Sequence, residues 1–278
     1  MIAAFDAVWR SSTGRIGFTL VVLVLLFSLL GPLVIAYEPN RLDVLHRFAD
    51  PSPVHWMGTD NLGRDLAARM AVGGQIALGV ALSTIALSLV FGILLGIAAA
   101  YAPLQIERVV LILFDVLSAF PTLIFALAIV ALLGPGLDKV VLIIAVTLIP
   151  HFGRIARAQT LALKHAPFLD ATRVLGASAA RLVLLHVIPN ILGPLVVLAS
   201  MDIPVVITLE AGLSFLGIGV PPPRASWGGL LHDGYVSLTQ SPWPVVFAGL
   251  MLTLATLGFT LFGEALRDAI DPKLRASP

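Results

Sequence analysis

Long, nearly uninterrupted runs of apolar residues dominate this chain. A helix needs about 20 apolar residues to cross roughly 30 Å of hydrocarbon, and the runs of about this length are residues 16–36, 71–100, 108–133, 139–158, 188–209 and 244–263. Several contain Gly or Pro, including Pro121, which neighbouring helices in a bundle can accommodate. Because the runs do not alternate with polar residues as β-barrel strands do, the pattern predicts an all-α, polytopic membrane protein with six transmembrane helices.

The distribution of positive charge predicts the orientation of these spans. The first run is longer than the roughly 7–15 apolar residues of a signal peptide, so we interpret it as a retained anchor helix. Lys and Arg near span ends are kept on the cytoplasmic side. With the N-terminus inside, 11 of the 17 Lys and Arg residues fall inside, and the other six are Arg41, Arg47, Arg64, Arg69, Lys139 and Arg224. Both termini are therefore predicted to lie in the cytoplasm.

The composition excludes several classes of protein. Only 12% of the residues are charged and 58% are hydrophobic, with a net charge of +1, whereas a soluble domain is about 25% charged. A disordered chain, a nucleic-acid binder and an ordinary cytosolic enzyme are therefore excluded. Cysteine is absent and no Gly is followed by Lys, so the chain has no thiolate chemistry and no nucleotide-binding loop. We predict that it is not itself an enzyme and binds no metal or other cofactor.

Three ionisable residues lie within or at the end of predicted spans, where charge is costly and usually faces a cavity or a partner. Asp115 lies near one end of the third span, and a salt bridge or helix contact explains it most simply. Asp202 and Glu210 are eight residues apart, on roughly the same helix face, and we predict that this face lines a transport path. An ion-coupled secondary transporter using Asp202 and Glu210 is the alternative.

The basic segment of about residues 159–187 carries the most informative pattern. Pro167 suits a first helical turn, Asp170 adds favourable charge there, and Gly176 can end the helix or allow a bend. One side of that short helix would carry Phe168, Leu169, Thr172 and Leu175. An apolar face in the cytoplasm should be covered by the rest of the chain or by a partner.

This segment resembles the E-A-A-x-x-x-G-x9-I-x-L-P signature of the membrane permeases of ABC importers. At the full spacing the signature falls on Asp170, Ala171, Thr172, Gly176, His186, Ile188 and Pro189. Asp replaces Glu, Thr replaces the second Ala and His replaces the first Ile. Asp keeps the carboxylate and Thr is small, so agreement is weakened and not lost.

Two further stretches resemble the dipeptide, oligopeptide and nickel permeases of that family. Residues 55–65 read H-W-M-G-T-D-N-L-G-R-D, similar to a segment before the second span. Residues 210–228 contain E-A-G-L-S-F-L-G-I-G-V and S-W-G, similar to a later segment. With Leu266 to Asp268 and Asp271-Pro272, the resemblance covers about residues 10–275 and indicates the second, C-type permease subunit. Taken singly, residues 58–65 could also be simple turns capped by Asp.

The resemblance implies a type I importer fold and an ATP-driven complex in the bacterial inner membrane. Its partners would be a B-type permease subunit, two ATPases that bind ATP and Mg²⁺, and an extracytoplasmic solute-binding protein, with lipid around the spans and no nucleic acid. Residues 1–70 would form an anchor helix and extracytoplasmic segment, and residues 71–278 the permease domain. Peptides are the leading substrate class, and glutathione and nickel complexes stay open.

The resemblance also implies two groups of functional residues. ATPase coupling is expected at Phe168, Leu169, Asp170, Ala171, Thr172, Gly176, Ala177 and Pro189. The translocation path or outer gate is expected at Asp202, Glu210, Ser214, Phe215 and Trp227.

Overall fold

The computed structural model describes residues 8, 9 and 11–270, and within this part of the chain the regular secondary structure is helical, apart from an isolated antiparallel bridge between Thr59 and Asp65. In chain order the helices are α1 (Ser12–Val34), α2 (Leu66–Tyr101), α3 (Leu104–Ala119), α4 (Thr122–Leu133), α5 (Leu137–Leu163), α6 (Pro167–Val174), α7 (Ala179–Leu182), α8 (Ile188–Phe215), α9 (Trp227–Val236) and α10 (Trp243–Ile270). A 3₁₀ turn covers Val44–His46, and a π-helical turn at Val183–Val187 joins α7 to α8. The signature residues Asp271 and Pro272, and Arg10, Lys273 and Arg275 from the orientation count, lie outside the described residues.

The described helices confirm the all-α prediction and most of the predicted spans. Five are long and apolar enough to cross a membrane: Ser12–Val34, Leu66–Tyr101, Leu137–Leu163, Ala179–Phe215 and Trp243–Ala269. The third predicted span, residues 108–133, differs in shape, because α3 and α4 meet at 87°. Pro121 causes the break, since proline has no N–H to donate and keeps the preceding residue, Phe120, extended. The bundle has six spans if this bent pair counts as one.

Helices α2 and α5 form the centre of the bundle, and glycines bring their backbones together. A Cβ atom on Gly92 would lie 2.6 Å from Cβ of Phe152, and one on Gly96 would lie 2.4 Å from the carbonyl oxygen of Gly153. On the far side of α5, Gly153 packs against the ring of Phe114 from α3. Small residues at such contacts let helices pack closely where no hydrophobic effect drives them together.

The first helix is integrated into the bundle along its length. Gly17 packs against the backbone of α10 at Leu261 and Phe262, and Gly258 of α10 packs against Leu20 of α1. Ser28, fully buried, faces Gly74 of α2. Helix α1 therefore contacts the last span and the second span together.

The bundle has two ends that carry different connections. Residues 35–65, 134–136 and 216–242 lie at one end, which we call the 35–65 end. Residues 102–103 and 164–187 lie at the opposite end, the 164–187 end. Here the Lys164 ammonium donates to the carbonyl of Ala100 over 2.9 Å and lies 5.3 Å from the ring centroid of Tyr101. The turn after α5 is thereby attached to the end of α2.

Candidate functional site

The signature segment, residues 167–189, begins with a short helix whose limits follow from its sequence. Pro167 occupies the first turn of α6, and Asp170 in that turn pairs with Arg173 at 2.6 Å. Gly176 then adopts φ +84°, a conformation that favours glycine. Its N–H donates to Arg173 and that of Ala177 donates to Thr172, which closes the helix end. The predicted start and end of this helix are confirmed.

The predicted apolar side of α6 divides into a buried and an open part. Leu169 is fully buried against the core of the chain, and Ala177 packs on the same core. Phe168 is 44% exposed, while Val174 and Leu175 are each 87% exposed. We call these three residues the open apolar patch. Aliphatic and aromatic side chains this exposed at the 164–187 end indicate a surface that another protein covers.

The remaining predicted coupling residues support the shape of the segment. The Thr172 hydroxyl donates to the carbonyl of Phe168 over 2.7 Å, and Ala171 is exposed. Pro189 lies in the first turn of α8. Leu182 just before the π-helical turn and Val187, the last residue of that turn, are buried, and α8 begins at the next residue.

Glu210 and Ser214 form a buried contact one turn apart on α8. The Ser214 hydroxyl donates to Oε1 of Glu210 over 2.7 Å and accepts the N–H of Val220 over 3.1 Å. Gly219 packs so closely that a Cβ there would lie 2.1 Å from Oγ of Ser214. Glu210 is fully buried, so this pair fixes the turn after α8 within the protein.

Ser214→Ala should therefore loosen this turn. The substitution leaves the Val220 N–H and the Glu210 carboxyl without their partner, and an unsatisfied buried polar group costs about 1–3 kcal/mol. We expect a lower thermal unfolding temperature in detergent. Ser83→Ala is the matched control, because Ser83 bonds only to carbonyls of its own helix on an exposed face. Equal shifts in the two variants would contradict a special role for Ser214.

Phe215 and Trp227 connect α8 and α2 to α9. The Phe215 ring meets the rings of His232 and Tyr235 edge-on, with centroids 5.5 and 6.1 Å apart. Trp227 is fully buried, and its indole N–H donates to the carbonyl of Met70 over 2.9 Å. The structure thus places Trp227 inside the bundle, against α2, and Phe215 against α9.

Asp202 has a different environment from Glu210. Its Oδ2 lies 3.5 Å from Nε2 of His151 on α5, and its side chain is 14% exposed. Arg154, which lies on α5 like His151, pairs with Asp115 of α3 at 2.8 Å. It also reaches Oγ of Ser118 at 3.3 Å. Neither His151 nor Arg154 was among the predicted functional residues. Two ionisable residues three apart within a predicted span were the signal that could have found them.

The segment before α2 is held by a buried ionic group, which we call the Asp60 cluster: Asp60, Arg64 and Arg69. Asp60 accepts the N–H groups of Leu62 and Arg64 through Oδ1, and Nε of Arg64 through Oδ2 at 2.6 Å. Arg69 of α2 lies 3.4 Å from Oδ2 and also reaches Asn40. All three side chains of the cluster are under 10% exposed. The cluster therefore ties the connection to the start of α2.

The other side chains and glycines of the segment 55–65 form turns and a helix cap. Asp65 accepts the N–H of Ala68 and so caps α2, while its other oxygen lies 2.8 Å from Nδ1 of His55. Gly63 has φ +73° and packs on the backbone of Asp43. The possible interpretation of this stretch as Asp-capped turns is thus confirmed locally, together with the ionic contacts.

Asp233 of α9 is the acid that faces these arginines. Burial raises the pKa of the Asp233 carboxyl, and the positive charges of Arg69 and Arg64 lower it.

A cavity of about 640 Å³ opens at the 35–65 end between the start of α5 and the loop after α8. It is lined by Gly136, Leu137, Asp138, Val141 and residues 221–224. Three prolines and Arg224 form one wall, and Asp138 lies on the other. The two walls of the cavity therefore carry opposite charges, Arg224 on one and Asp138 on the other.

Comparison with known proteins places this arrangement in a family. Residues 92–276 match the family described as the inner membrane component of binding-protein-dependent transport systems. The oligopeptide transport system permease protein OppC of Bacillus subtilis is 34% identical over 273 residues, which cover 97% of this chain and 90% of the relative. The dipeptide transport system permease protein DppC of Alkalihalophilus pseudofirmus is 33% identical over 273 residues, covering 98% and 90%.

A solved structure shares the fold. A chain in an inward-facing structure of the MetNI methionine ABC transporter superposes with a TM-score of 0.57 at 16% identity, covering 73% of this chain and 97% of that one. These matches confirm the predicted resemblance to ABC importer permeases and give no support to the ion-coupled carrier. The chain belongs to the family of inner membrane components of binding-protein-dependent transport systems.

Proposed function

We propose that this chain forms half of the translocation pathway of an ATP-driven importer of di- or oligopeptides in a bacterial inner membrane. Both termini lie in the cytoplasm, so the 164–187 end is cytoplasmic and the 35–65 end extracytoplasmic. The names of the permease relatives support peptides as the substrate class. The observation that carries the proposal is the open apolar patch on the signature segment, because it requires a cytoplasmic partner.

That partner is a pair of ATPase subunits, which bind ATP and Mg²⁺. Phe168, Val174 and Leu175 enter a groove on an ATPase, while Leu169 and Ala177 hold the segment to the bundle. Movement of the ATPases is passed to α5, which precedes the segment, and to α8, which continues it. ATP binding favours the outward-open state only if the ATP-bound ATPases bind that state more tightly, since a ligand shifts an equilibrium by its differential affinity.

The other partners contact different parts of the chain. A solute-binding protein delivers peptide at the 35–65 end, near the loop of residues 221–224, and a B-type permease supplies the other half of the pathway. Residues 1–70 form the anchor helix and extracytoplasmic segment, and residues 71–278 form the permease domain. Fully buried Trp227 positions this outer loop from within, and Phe215 positions α9.

Affinity purification of the tagged chain from its native membrane in mild detergent tests the proposal. We expect a second polytopic permease and one or two ATPases to copurify. Leu175→Glu should lower ATPase recovery about tenfold, because burying a leucine contributes about 1.5–3 kcal/mol. Leu45→Glu, at a leucine 93% exposed at the opposite end, is the matched control and should copurify normally. A stable, folded chain recovered alone would contradict the proposal.

A further inference from the structure

Four ionisable side chains form one Arg–Asp ion pair and one His–Asp contact on three helices of the bundle, and we call them the mid-bundle charge cluster. Helix α5 contributes His151 and Arg154, one turn apart, and each faces an acid on another helix. Asp202 of α8 lies 3.5 Å from His151, and Asp115 of α3 lies 2.8 Å from Arg154. The cluster therefore joins three helices through alternating charges.

The cluster lies well inside the length of the helices that carry it. At 1.5 Å per residue, Asp115 is about 16 Å from the start of α3 and Asp202 about 21 Å from the start of α8. His151 and Arg154 are about 18 and 14 Å from the end of α5 by the same measure. All these distances run from the 164–187 end. Each of the four groups therefore lies at least two helical turns inside the end of its helix from which the distance runs.

Three of these four side chains are nevertheless open at the surface of the chain, while that of Asp202 is 14% exposed. The exposed fraction is 73% for Asp115, 44% for Arg154 and 46% for His151. Exposure to lipid would be costly for a charge, so ionisable groups at this depth face a water-filled cavity or another protein. The surface that carries the cluster is therefore not a lipid-facing surface.

The cluster also keeps hydrogen-bonding capacity unused. Among the described residues no donor forms a hydrogen bond with Oδ2 of Asp202, and His151 approaches it only at 3.5 Å. A guanidinium carries five N–H donors, and Arg154 uses its Nη2 on Asp115 and Ser118. Arg154 thus keeps further donors, and Asp115, bonded through Oδ1, is the accessible acid, whereas the unpaired Oδ2 of Asp202 is buried.

We infer that the mid-bundle charge cluster is the subsite that receives the charged ends of a peptide in transit. Arg154 and His151 bind the terminal carboxylate, and Asp115 binds the terminal ammonium. The inference rests on the proposed function and names side chains for it. A zwitterion replaces one internal ion pair with two external ones, so the charges of protein and peptide stay neutralised at bilayer depth.

The absence of cysteine from the chain allows a direct test by labelling. Ser118→Cys places a thiol beside Arg154, and Leu113→Cys places one on another side of α3, at an exposed apolar residue. The complete transporter is assembled in vesicles with cysteine-free partners. Both variants are treated with a charged, water-soluble thiol reagent, in the nucleotide-free and ATP-bound states. We expect labelling of Ser118→Cys in at least one state and little at Leu113→Cys.

Protection by peptide identifies what the cluster binds. The probe is a defined mixture of dipeptides to pentapeptides with free ends, compared with the same mixture N-acetylated and C-amidated. Free peptides should slow the labelling of Ser118→Cys, and the capped mixture should not. An unlabelled Ser118→Cys, as expected if the second permease covers the cluster, or equal protection by both mixtures would overturn the inference.

Uptake by variants gives a second measurement. Arg154→Gln should lower peptide uptake about tenfold or more, which corresponds to the loss of one charged hydrogen bond. Arg108→Gln removes the same charge near the start of α3 and should transport normally. Peptide-stimulated ATP hydrolysis by the unmodified complex tests the proposed function separately. If that stimulation is present while uptake by Arg154→Gln is normal, the inference fails and the proposed function stands.

Discussion

Gly176→Pro should reduce peptide uptake at least tenfold while the chain still inserts in the membrane. Gly176 has φ +84°, whereas a proline ring fixes φ near −65°. The substitution also removes the N–H that donates to Arg173 at the end of α6. The turn after α6 must then change, which displaces Leu175 and Ala177 from opposite sides of the segment. The coupling function proposed for this segment depends on that geometry.

Gly176→Asn is the matched control, because asparagine tolerates positive φ better than other non-glycine residues. A Cβ at this position meets nothing within 4 Å, so the two variants differ in backbone conformation and in the lost N–H, not in steric fit. Gly176→Asn should retain most of the uptake. The measurements are uptake and ATP hydrolysis in vesicles, with membrane content of the chain quantified in parallel. Normal transport by Gly176→Pro would refute the coupling role.

Asp60→Asn should be the most destabilising single-charge change at the 35–65 end. It leaves Arg64 and Arg69 buried without their shared carboxylate, and removing one partner of a buried ion pair costs about 3–5 kcal/mol. The thermal unfolding temperature should fall clearly, and residues before α2 should become more sensitive to an added protease.

Asp43→Asn provides the comparison on the same connection. Asp43 also forms an ion pair, at 2.8 Å from Nδ1 of His46, but both side chains are well exposed. The hydrogen bond from His46 lowers the pKa of the Asp43 carboxyl, and solvent screening makes such a surface pair weak. This variant should unfold close to the wild-type temperature. Similar unfolding temperatures of Asp43→Asn and Asp60→Asn would show that burial of the Asp60 cluster contributes nothing to the stability of the protein.

The sequence predicts the spans because hydrophobic length is a local property. It does not predict the 87° break before Pro121, since neighbouring helices can accommodate proline within a span and nothing local reveals whether they do. The start of the short helix at Pro167 and its end at Gly176 could be predicted from the sequence. Both follow from the backbone preferences of single residues.

Burial is what the sequence could not assign. Phe168 and Leu169 are adjacent and both apolar, yet one is half exposed and the other is fully buried, because only the packing of α6 on the bundle separates them. Asp115 is expected to form a salt bridge or a helix contact, and the structure supplies Arg154, 39 residues away. Partners this distant depend on which helices are neighbours, and that is a property of the whole bundle.

The length of α2 gives the molecule a lever arm. Its 36 residues extend about 54 Å, more than the roughly 40–45 Å of a complete bilayer. One tip is fixed to the Asp60 cluster through Arg69, and the other receives Lys164 at the carbonyl of Ala100. A tilt of this single rod displaces its two tips in opposite directions. The two aqueous faces of the membrane are thus connected mechanically by one uninterrupted helix, and the position of its pivot sets the ratio of their movements.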